Sequence, residues 1–147
     1  MIALVQRVSR GAVYIGGKKI ASIGQGILAL VGIEREDTTK AADRLAERIL
    51  TYRIFPDAQH RMNRCLEEIG GELLLVPQFT LAADTHKGTR ASFAKAAPPE
   101  QAQKLYQYLV DRLQQRYPKV HSGVFGATMS VELTNEGPVT FWLQAKG

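Results

Sequence analysis

Residues 72–81 read ELLLVPQFTL, and this stretch organises the rest of the chain. Leu73 to Val76 form an apolar run that is short enough for a strand buried on both faces. The run then passes into Gln78, Phe79 and Thr80. A buried strand that ends in hydrogen-bonding groups can hold backbone N–H groups against a ligand. From this stretch alone, the favoured interpretation is a core strand that ends in a polar turn, and a ligand site is the alternative.

Length and composition predict one globular domain spanning residues 1–147, with 45% hydrophobic and 22% charged residues. Cys65 is the only cysteine, which excludes an internal disulfide and favours a reducing, cytoplasmic setting. The start MIALVQRVSR lacks the features of a signal peptide, and no apolar run approaches the ~20 residues of a membrane span. We therefore expect no membrane partner.

The net charge of +5 favours a polyanionic partner such as nucleic acid, although many ordinary enzymes are equally basic. Lys87, Arg90 and Lys95 follow the organising strand, but no zinc-finger spacing, RNP-type pattern or arginine-rich arm is present. The three histidines lie in separate loops without a second ligand at i+2 to i+4. The sequence therefore predicts neither a metal site nor a cofactor.

The first third of the chain predicts a β-meander. Apolar runs over residues 2–8, 12–15, 19–23 and 27–33 are typical of strands. Gly16–Gly17 indicates a hairpin, because glycine accepts the positive φ of a tight turn.

Apolar residues at helical spacing predict two amphipathic helices. The first follows residues 37–39, whose side-chain oxygens can cap a helix, and should end before Pro56. The second should begin at Pro98–Pro99 and end at Pro118. The expected buried positions are Ala41, Ala42, Leu45, Ala46, Ile49 and Leu50 in the first helix, and Ala102, Leu105, Tyr106, Leu109, Val110, Leu113 and Tyr117 in the second.

The C-terminal part predicts a closing β-hairpin. Residues 127–133 alternate between apolar and polar, residues 135–138 are typical of a turn, and residues 139–143 suit a last strand. An X–Pro bond is cis in only about 5–6% of folded cases, so the residues alone indicate an ordinary turn at Gly137–Pro138. The predicted fold class is α+β: an antiparallel β-meander with two amphipathic helices.

Four segments give the chain a family resemblance. PQFTLAADT at residues 77–85 and NEGPVTF at residues 135–141 occur with the start MIALVQRV and with YRIF-x-D at residues 52–57. With these motifs the chain resembles the D-aminoacyl-tRNA deacylases, also called D-tyrosyl-tRNA deacylases, over its whole length. The resemblance implies a deacylase-type fold with a barrel-like sheet and a homodimer. It also implies hydrolysis of the ester that joins a D-amino acid, or glycine, to the 3′-terminal adenosine of tRNA, with no DNA partner.

The resemblance also implies site residues. The family's strand-end motif falls on Gln78, Phe79 and Thr80, which are the expected catalytic residues. Its Gly–Pro motif, whose peptide bond is cis in the family, falls on Gly137–Pro138. The resemblance implies that this dipeptide enters the pocket of the partner subunit and that Arg7 holds it in position. Phe125 matches the aromatic that stacks on the terminal adenine, and Met129 a residue that lines the pocket.

The implied chemistry needs no charged catalytic side chain. An aminoacyl ester is already labile, and backbone N–H groups around Phe79 and Thr80 could stabilise the developing oxyanion. The favoured mechanism is attack assisted by the 2′-OH of the RNA, with Thr80 as a positioning group. Direct attack by the Thr80 hydroxyl is the alternative, for which no general base is in sight.

Selection of D-substrates would depend on rejection of L-substrates. Carbonyl oxygens of Gly137–Pro138 would crowd an L side chain, whereas glycine, which has none, would be accepted. Pro77 departs from the family, which usually has Ser there, and it motivates the alternative of a related deacylase that acts on L-Ala mischarged onto tRNA. Phe79 and the residues Val139 to Phe141 instead resemble the D-specific branch, to which the chain as a whole is more similar. A non-catalytic tRNA-binding module is the third hypothesis, based on the basic charge.

Overall fold

The structure, a computed structural model, describes all 147 residues. It contains eight strands, three α-helices and one short 3-10 helix. In chain order these are β1 (Ile2–Ile15), β2 (Lys18–Ile23), β3 (Gly26–Gly32), α1 (Thr39–Thr51), β4 (Phe55–Pro56), β5 (Met62–Arg64), α2 (Leu66–Ile69), β6 (Glu72–Pro77), the 3-10 helix (Phe79–Ala82), α3 (Pro99–Arg116), β7 (Val120–Ser122) and β8 (Ser130–Gln144). None of the helices combines the length and apolar character that a membrane crossing requires.

Six strands form one curved sheet in the order β2-β1-β3-β6-β7, with β8 paired to β1. The long strands β1 and β8 run antiparallel over almost their whole length and bend the sheet towards a barrel. The predicted α+β class, barrel-like sheet and pair of amphipathic helices are confirmed. The antiparallel description is wrong for β6 and β7, because β3–β6 and β6–β7 are parallel pairs. Long connections through α1 and α3 make these parallel pairings possible.

Strand β6 is buried on both faces, as its apolar run predicts. Leu73 and Leu75 belong to the large core that includes α1 and α3. Leu74 and Val76 point the opposite way into a second, smaller core inside the curved sheet. Because both faces are covered, the carboxyl end of β6 is held rigidly at the point where the chain becomes polar.

The two predicted helices are confirmed, and the residues expected to be buried are buried; Tyr117 lies at the C-cap, one residue beyond α3. The prediction that a side chain caps α1 is wrong. Thr38 occupies the N-cap position, but its side chain makes no hydrogen bond to the N–H groups of the first turn. Its hydroxyl instead donates to the Gly147 carbonyl at 2.7 Å. The Asp37 carboxylate accepts from the Glu34 N–H at 2.7 Å and from the Met1 amino group at 2.6 Å. Long-range partners therefore displace the local cap.

The predicted closing hairpin is wrong, because residues 130–144 form one continuous strand. Strand β8 pairs with β1 on both sides of the supposed turn, with Val8 opposite Asn135 and Gln6 opposite Thr140. Residues 136–139 are left over between these pairs and bulge out of the ladder. Turn-forming residues thus produce a protrusion in the middle of a strand.

Candidate active-site groove

A groove of about 770 Å³ lies at the carboxyl end of β6. It is lined by Arg35, Val76, Pro77, Gln78, Phe79, Phe93, Ala96, Ala97, Pro98, Pro99, Ala102, Phe125, Gly126, Ala127, Thr128, Met129 and Val131. The groove therefore brings together Gln78, Phe79, Phe125 and Met129, four of the residues predicted from the sequence. Mostly apolar walls with a few polar groups are typical of small-molecule sites.

The strand end presents two backbone N–H groups. Gln78 N–H donates to the Val31 carbonyl at 2.7 Å, which completes the ladder with β3. The 3-10 helix starts immediately afterwards, and its first bond runs from Leu81 N–H to the Gln78 carbonyl at 3.2 Å. The N–H groups of Phe79 and Thr80 precede that bond, so they have no acceptor within the helix.

The Thr80 hydroxyl lies beside the groove, where the Gln78 side-chain amide donates to it at 2.5 Å. Thr80 is exposed and does not itself line the groove. Its contact with Gln78 fixes the position of the hydroxyl oxygen. An amide is not a general base, so this contact orients the hydroxyl without activating it as a nucleophile.

Phe125 and Met129 form the opposite wall. Phe125 packs on Tyr106 with ring centroids 6.1 Å apart, and the Tyr106 and Ser122 hydroxyls are 2.6 Å apart. Burial raises the pKa of Tyr106, partly opposed by the Ser122 hydrogen bond, so the phenol stays neutral and structural. Gly123 lets Met129 approach, because a Cβ there would be 2.8 Å from the Met129 Sδ.

The structure gives a reason why Pro77 is tolerated. In a parallel ladder successive N–H groups point to opposite sides, and Gln78 N–H points towards β3. The position of the missing Pro77 donor therefore faces the β7 side. There β7 pairs only with Leu73 to Leu75 and ends before Pro77. No ladder bond is lost, and Pro77 forms part of the groove wall instead.

Gly137, Pro138 and Arg7 are grouped together but do not line this groove. The Gly137–Pro138 bond is cis, and both residues are exposed on the β8 bulge. Arg7 Nε donates to the Glu136 carbonyl at 2.9 Å, and Arg7 Nη1 donates to the Ile54 carbonyl at 2.8 Å. Arg7 thus connects the base of the bulge to the segment that follows α1.

The sequence interpretation missed Arg35, Phe93 and Pro98–Pro99 as groove residues. The one available signal was Phe93, an aromatic residue in a polar loop.

Asp84 makes a local turn beside the groove. Its carboxylate accepts a hydrogen bond from His86 N–H at 3.0 Å, and this bond lowers the pKa of the Asp84 carboxyl. No group of three or more His, Cys, Asp or Glu side chains lies close enough together to hold a metal ion.

A second cavity, of about 440 Å³, lies between α1 and α3. Its charged side chains already pair with each other, Arg112 with Asp43 at 3.0 Å and Arg116 with Glu47. It lacks the strand-end N–H groups and aromatic walls of the groove, so we assign the chemistry to the groove.

Residues 4–144 match the family described as D-Tyr-tRNA(Tyr) deacylase. The chain belongs to this family. D-aminoacyl-tRNA deacylases of Histophilus somni (strain 2336) and Escherichia coli O1:K1 / APEC are similar to it. The first is 54% identical over 143 residues, 97% of this chain and 99% of the relative. The second is 51% identical over 144 residues, 98% of this chain and 99% of the relative.

Two solved structures resemble the fold of this family member. A protein described as c-Myc DNA Unwinding Element Binding Protein has a TM-score of 0.95 and 38% identity, with full coverage of both chains. A probable eukaryotic D-amino acid tRNA deacylase has a TM-score of 0.83 and covers 97% of both chains. At 18% identity, this second likeness concerns the fold alone.

Membership of the family confirms the resemblance seen in the sequence and gives the activity. The protein is a hydrolase that deacylates D-aminoacyl-tRNA, so its substrate is an aminoacyl-tRNA. The roles of individual residues, the dimer and the cytoplasmic location stay predictions.

Proposed function

We propose that the groove binds the 3′-terminal aminoacyl-adenosine of tRNA and that its ester is hydrolysed at the carboxyl end of β6. One observation carries this proposal. Gln78 and Phe79, expected at the ester, share a groove with Phe125 and Met129, expected at the adenosine. The adenine would stack on Phe125 beside Met129, since aromatic side chains bind unstacked RNA bases in this way.

The backbone supplies the catalytic groups. The N–H groups of Phe79 and Thr80, which lack acceptors in the 3-10 helix, would donate to the carbonyl oxygen as it becomes an oxyanion. A water attacks the ester carbon, assisted by the 2′-OH of the terminal ribose and positioned by Thr80. The ester C–O bond breaks, the 3′-oxygen takes a proton, and a free amino acid and tRNA leave. No cofactor takes part.

The Gly137–Pro138 bulge would select the substrate in the groove of a second subunit. It is exposed, and Arg7 holds its base through the Glu136 carbonyl. Carbonyl oxygens of the dipeptide would crowd an L side chain, whereas a D side chain would point away and glycine would fit.

An uncovered sheet face supports a homodimer. Leu4 pairs with Trp142 on one side and with Leu30 on the other, so the three side chains share the face away from α1 and α3. Leu4 and Leu30 are half-buried, and Trp142 is 53% exposed. Exposed apolar patches of this kind are typical of interfaces. We expect residues 1–147 to fold as one domain that acts in the cytoplasm as a dimer.

Hydrolysis of D-Tyr-tRNA and L-Tyr-tRNA tests the proposed selection. Fast release from the D-substrate with little from the L-substrate is expected, and equal rates would overturn the role of the bulge. L-Ala-tRNA is the necessary third substrate, because Pro77 is shared with the L-Ala-directed relative. Faster cleavage of L-Ala-tRNA than of D-Tyr-tRNA would favour that alternative. tRNA binding without cleavage of any substrate would indicate the binding module.

Thr80→Ala separates the two mechanisms. If Thr80 positions the water, kcat should fall by about ten- to a hundredfold, the loss of one hydrogen bond to a charged transition state. If its hydroxyl were the nucleophile, activity would fall to the background given by binding and the oxyanion site alone. The measurement is single-turnover hydrolysis of D-Tyr-tRNA, with circular dichroism to check the fold.

A further inference from the structure

Two residues of the groove wall, Arg35 and Phe93, have no part in the proposed ester and adenosine sites. Arg35 lies in the connection between β3 and α1, and Phe93 lies in the loop before α3. The two segments run side by side: Arg35 N–H donates to the Lys95 carbonyl at 2.8 Å, and Arg35 Nε donates to the Ala94 carbonyl at 3.2 Å. They therefore form one continuous piece of the rim.

The Arg35 guanidinium is fixed at its base and free at its tip. The backbone is held by Lys95, and the Arg35 carbonyl accepts from Gln101 Nε2 at 2.9 Å. No carboxylate lies within ion-pair distance of the guanidinium, and its two terminal nitrogens make no hydrogen bond within the chain. A held but unpaired guanidinium at the mouth of a groove is suited to a phosphate, which it can bind with two parallel hydrogen bonds.

Phe93 supplies an aromatic surface next to this charge. Its ring packs on Phe79 with centroids 5.3 Å apart at an angle of 44°, and the two side chains remain 43% and 60% exposed. Exposed aromatic rings beside a basic group are the usual means by which proteins hold single-stranded nucleic acid, because each base has a face that can stack. Lys87 and Arg90, in the neighbouring exposed loop, extend the positive charge.

We propose that Arg35 and Phe93 form a second nucleotide subsite for the residue that precedes the terminal adenosine of the tRNA. Arg35 binds the phosphate that joins the two nucleotides, and Phe93 stacks on the preceding base. The subsite detects that a nucleotide is present rather than which base it carries, since stacking tolerates any base. This inference rests on the proposed placement of the adenosine at Phe125 and Met129.

Arg35→Gln tests the phosphate contact, with Arg44→Gln as the matched control. Arg44 is exposed on α1, has no ion pair and does not line the groove, so its variant loses the same charge elsewhere. Two substrates are compared: D-Tyr-tRNA, and D-tyrosine esterified to adenosine, which lacks the phosphate. For Arg35→Gln, KM for the tRNA should rise at least about tenfold more than KM for the adenosine ester, because a single one of the charge-assisted hydrogen bonds to the phosphate is worth that much.

The salt dependence gives a second readout. One lost phosphate contact on a single strand should reduce the slope of log kcat/KM against log salt by about 0.7 in Arg35→Gln relative to Arg44→Gln. Equal losses on both substrates, or the same salt slope in both variants, would overturn the phosphate contact. Arg35→Lys, which keeps the charge without the planar fork, should fall between wild type and Arg35→Gln.

Phe93→Leu tests the base contact while keeping an apolar side chain against Phe79. The substrates are D-tyrosyl dinucleotides with a normal or an abasic first nucleotide. The wild type should cleave the abasic substrate about five- to a hundredfold less efficiently, the range for one stacked base, whereas Phe93→Leu should discriminate little and Phe93→Trp should restore the difference. If the losses of kcat/KM from the abasic nucleotide and from Phe93→Leu were additive, the stacking would be overturned. It would also be overturned if Phe93→Leu changed the dimer fraction in sedimentation without changing the discrimination between the normal and the abasic substrate. If the wild type cleaved neither the adenosine ester nor tRNA, the proposed function itself would fail.

Discussion

The β6 groove and the β8 bulge are opposite in shape and in origin. The groove is concave, and its walls come from separate parts of the chain that only folding brings together. The bulge is convex and consists of the consecutive residues 136–139, held at one point by Arg7. Each is incomplete by itself: the groove has N–H donors and stacking surfaces but nothing that would exclude an L side chain, whereas the bulge has carbonyls but no cavity.

The sheet keeps these two regions apart within one chain. Arg7 pairs with Ile27 near the amino end of β3, whereas the groove starts where Val31 pairs with Pro77. Four residues of strand separate these positions, which corresponds to about 13 Å. The proposed site shared between two subunits would require this separation of bulge and groove within one chain.

Gly137→Ala should produce the largest loss. Gly137 has φ +135°, and a Cβ there would be 2.8 Å from Val139 Cγ2 and 3.0 Å from Arg7 Nη2, so the bulge must deform. We expect kcat/KM for D-Tyr-tRNA to fall by about a hundredfold, because a displacement of the order of 1 Å at an active site has that effect. Gly16→Ala is the control: it also has positive φ, but nothing lies within 4 Å, so it should cost stability without loss of activity.

Mixing two inactive variants would show whether the regions act across subunits. Gly137→Ala lacks a working bulge, and Ala127→Trp fills the groove. Co-refolded at equal amounts, they should regain about a quarter of wild-type activity, since half of the dimers would be mixed and each would have one intact site. Activity no higher than the sum of the separate variants would contradict a shared site.

Arg7→Ala should have an intermediate effect. It removes two hydrogen bonds from a charged donor, so the free energy of unfolding should fall by about 1–3 kcal/mol and the bulge should loosen. The ratio of D-Tyr-tRNA to L-Tyr-tRNA hydrolysis should then fall. Arg48→Ala is matched, because Arg48 Nη1 also binds a β8 carbonyl, that of Gln144 at 3.0 Å, but away from the bulge. A similar fall in the ratio for Arg48→Ala would remove the special role of Arg7.

Pro77→Ser should have a small effect on the groove. The missing N–H serves no ladder bond, so kcat/KM for D-Tyr-tRNA should stay within about threefold of wild type. The free energy of unfolding should fall by about 0.4–1 kcal/mol, because the unfolded chain regains freedom. Urea unfolding and hydrolysis assays measure both quantities. A large gain of D-activity with loss of L-Ala activity would mean that Pro77 decides specificity.

Asp84→Asn should have the smallest effect, confined to the loop beside the groove. The hydrogen bond from His86 N–H lowers the pKa of Asp84 in the folded protein. A lowered carboxyl pKa stabilises the fold above the ordinary value of 3.8 and loses that contribution as the pH falls through the folded pKa. The wild type should therefore have a slightly higher Tm than Asp84→Asn at pH 7, and the difference should close in acid. If the difference in Tm between the wild type and Asp84→Asn instead grew as the pH fell, the stabilisation assigned to the lowered pKa of Asp84 would be contradicted.

Several parts of this molecule could be predicted because they depend on local pattern. The periodicity of α1 and α3 gave the buried residues, since a helix needs one apolar stripe wherever it packs. The run Leu73 to Val76 gave a strand covered on both faces. The family motifs gave the activity and candidate residues, of which Gln78, Phe79, Phe125 and Met129 share a groove.

Other features depend on partners distant in sequence. Asn135 to Pro138 have the composition of a turn, but β1 pairs with both flanks and converts the turn into a bulge. Thr38 and Asp37 have capping side chains, but Gly147, Glu34 and Met1 bind them instead. Arg35 and Phe93 carry no motif and become neighbours only because their segments are hydrogen-bonded side by side.

The sequence by itself determined the two amphipathic helices, the strand β6 that is buried on both faces, and the family. The tertiary structure alone decided that β6 pairs in parallel, that the bulge and groove lie apart, and which side chains line the groove. The physical reason is that periodicity and turn chemistry act over a few residues. Strand pairing and cavity walls are set by contacts between residues far apart in the chain, whose free energy overrides local preference.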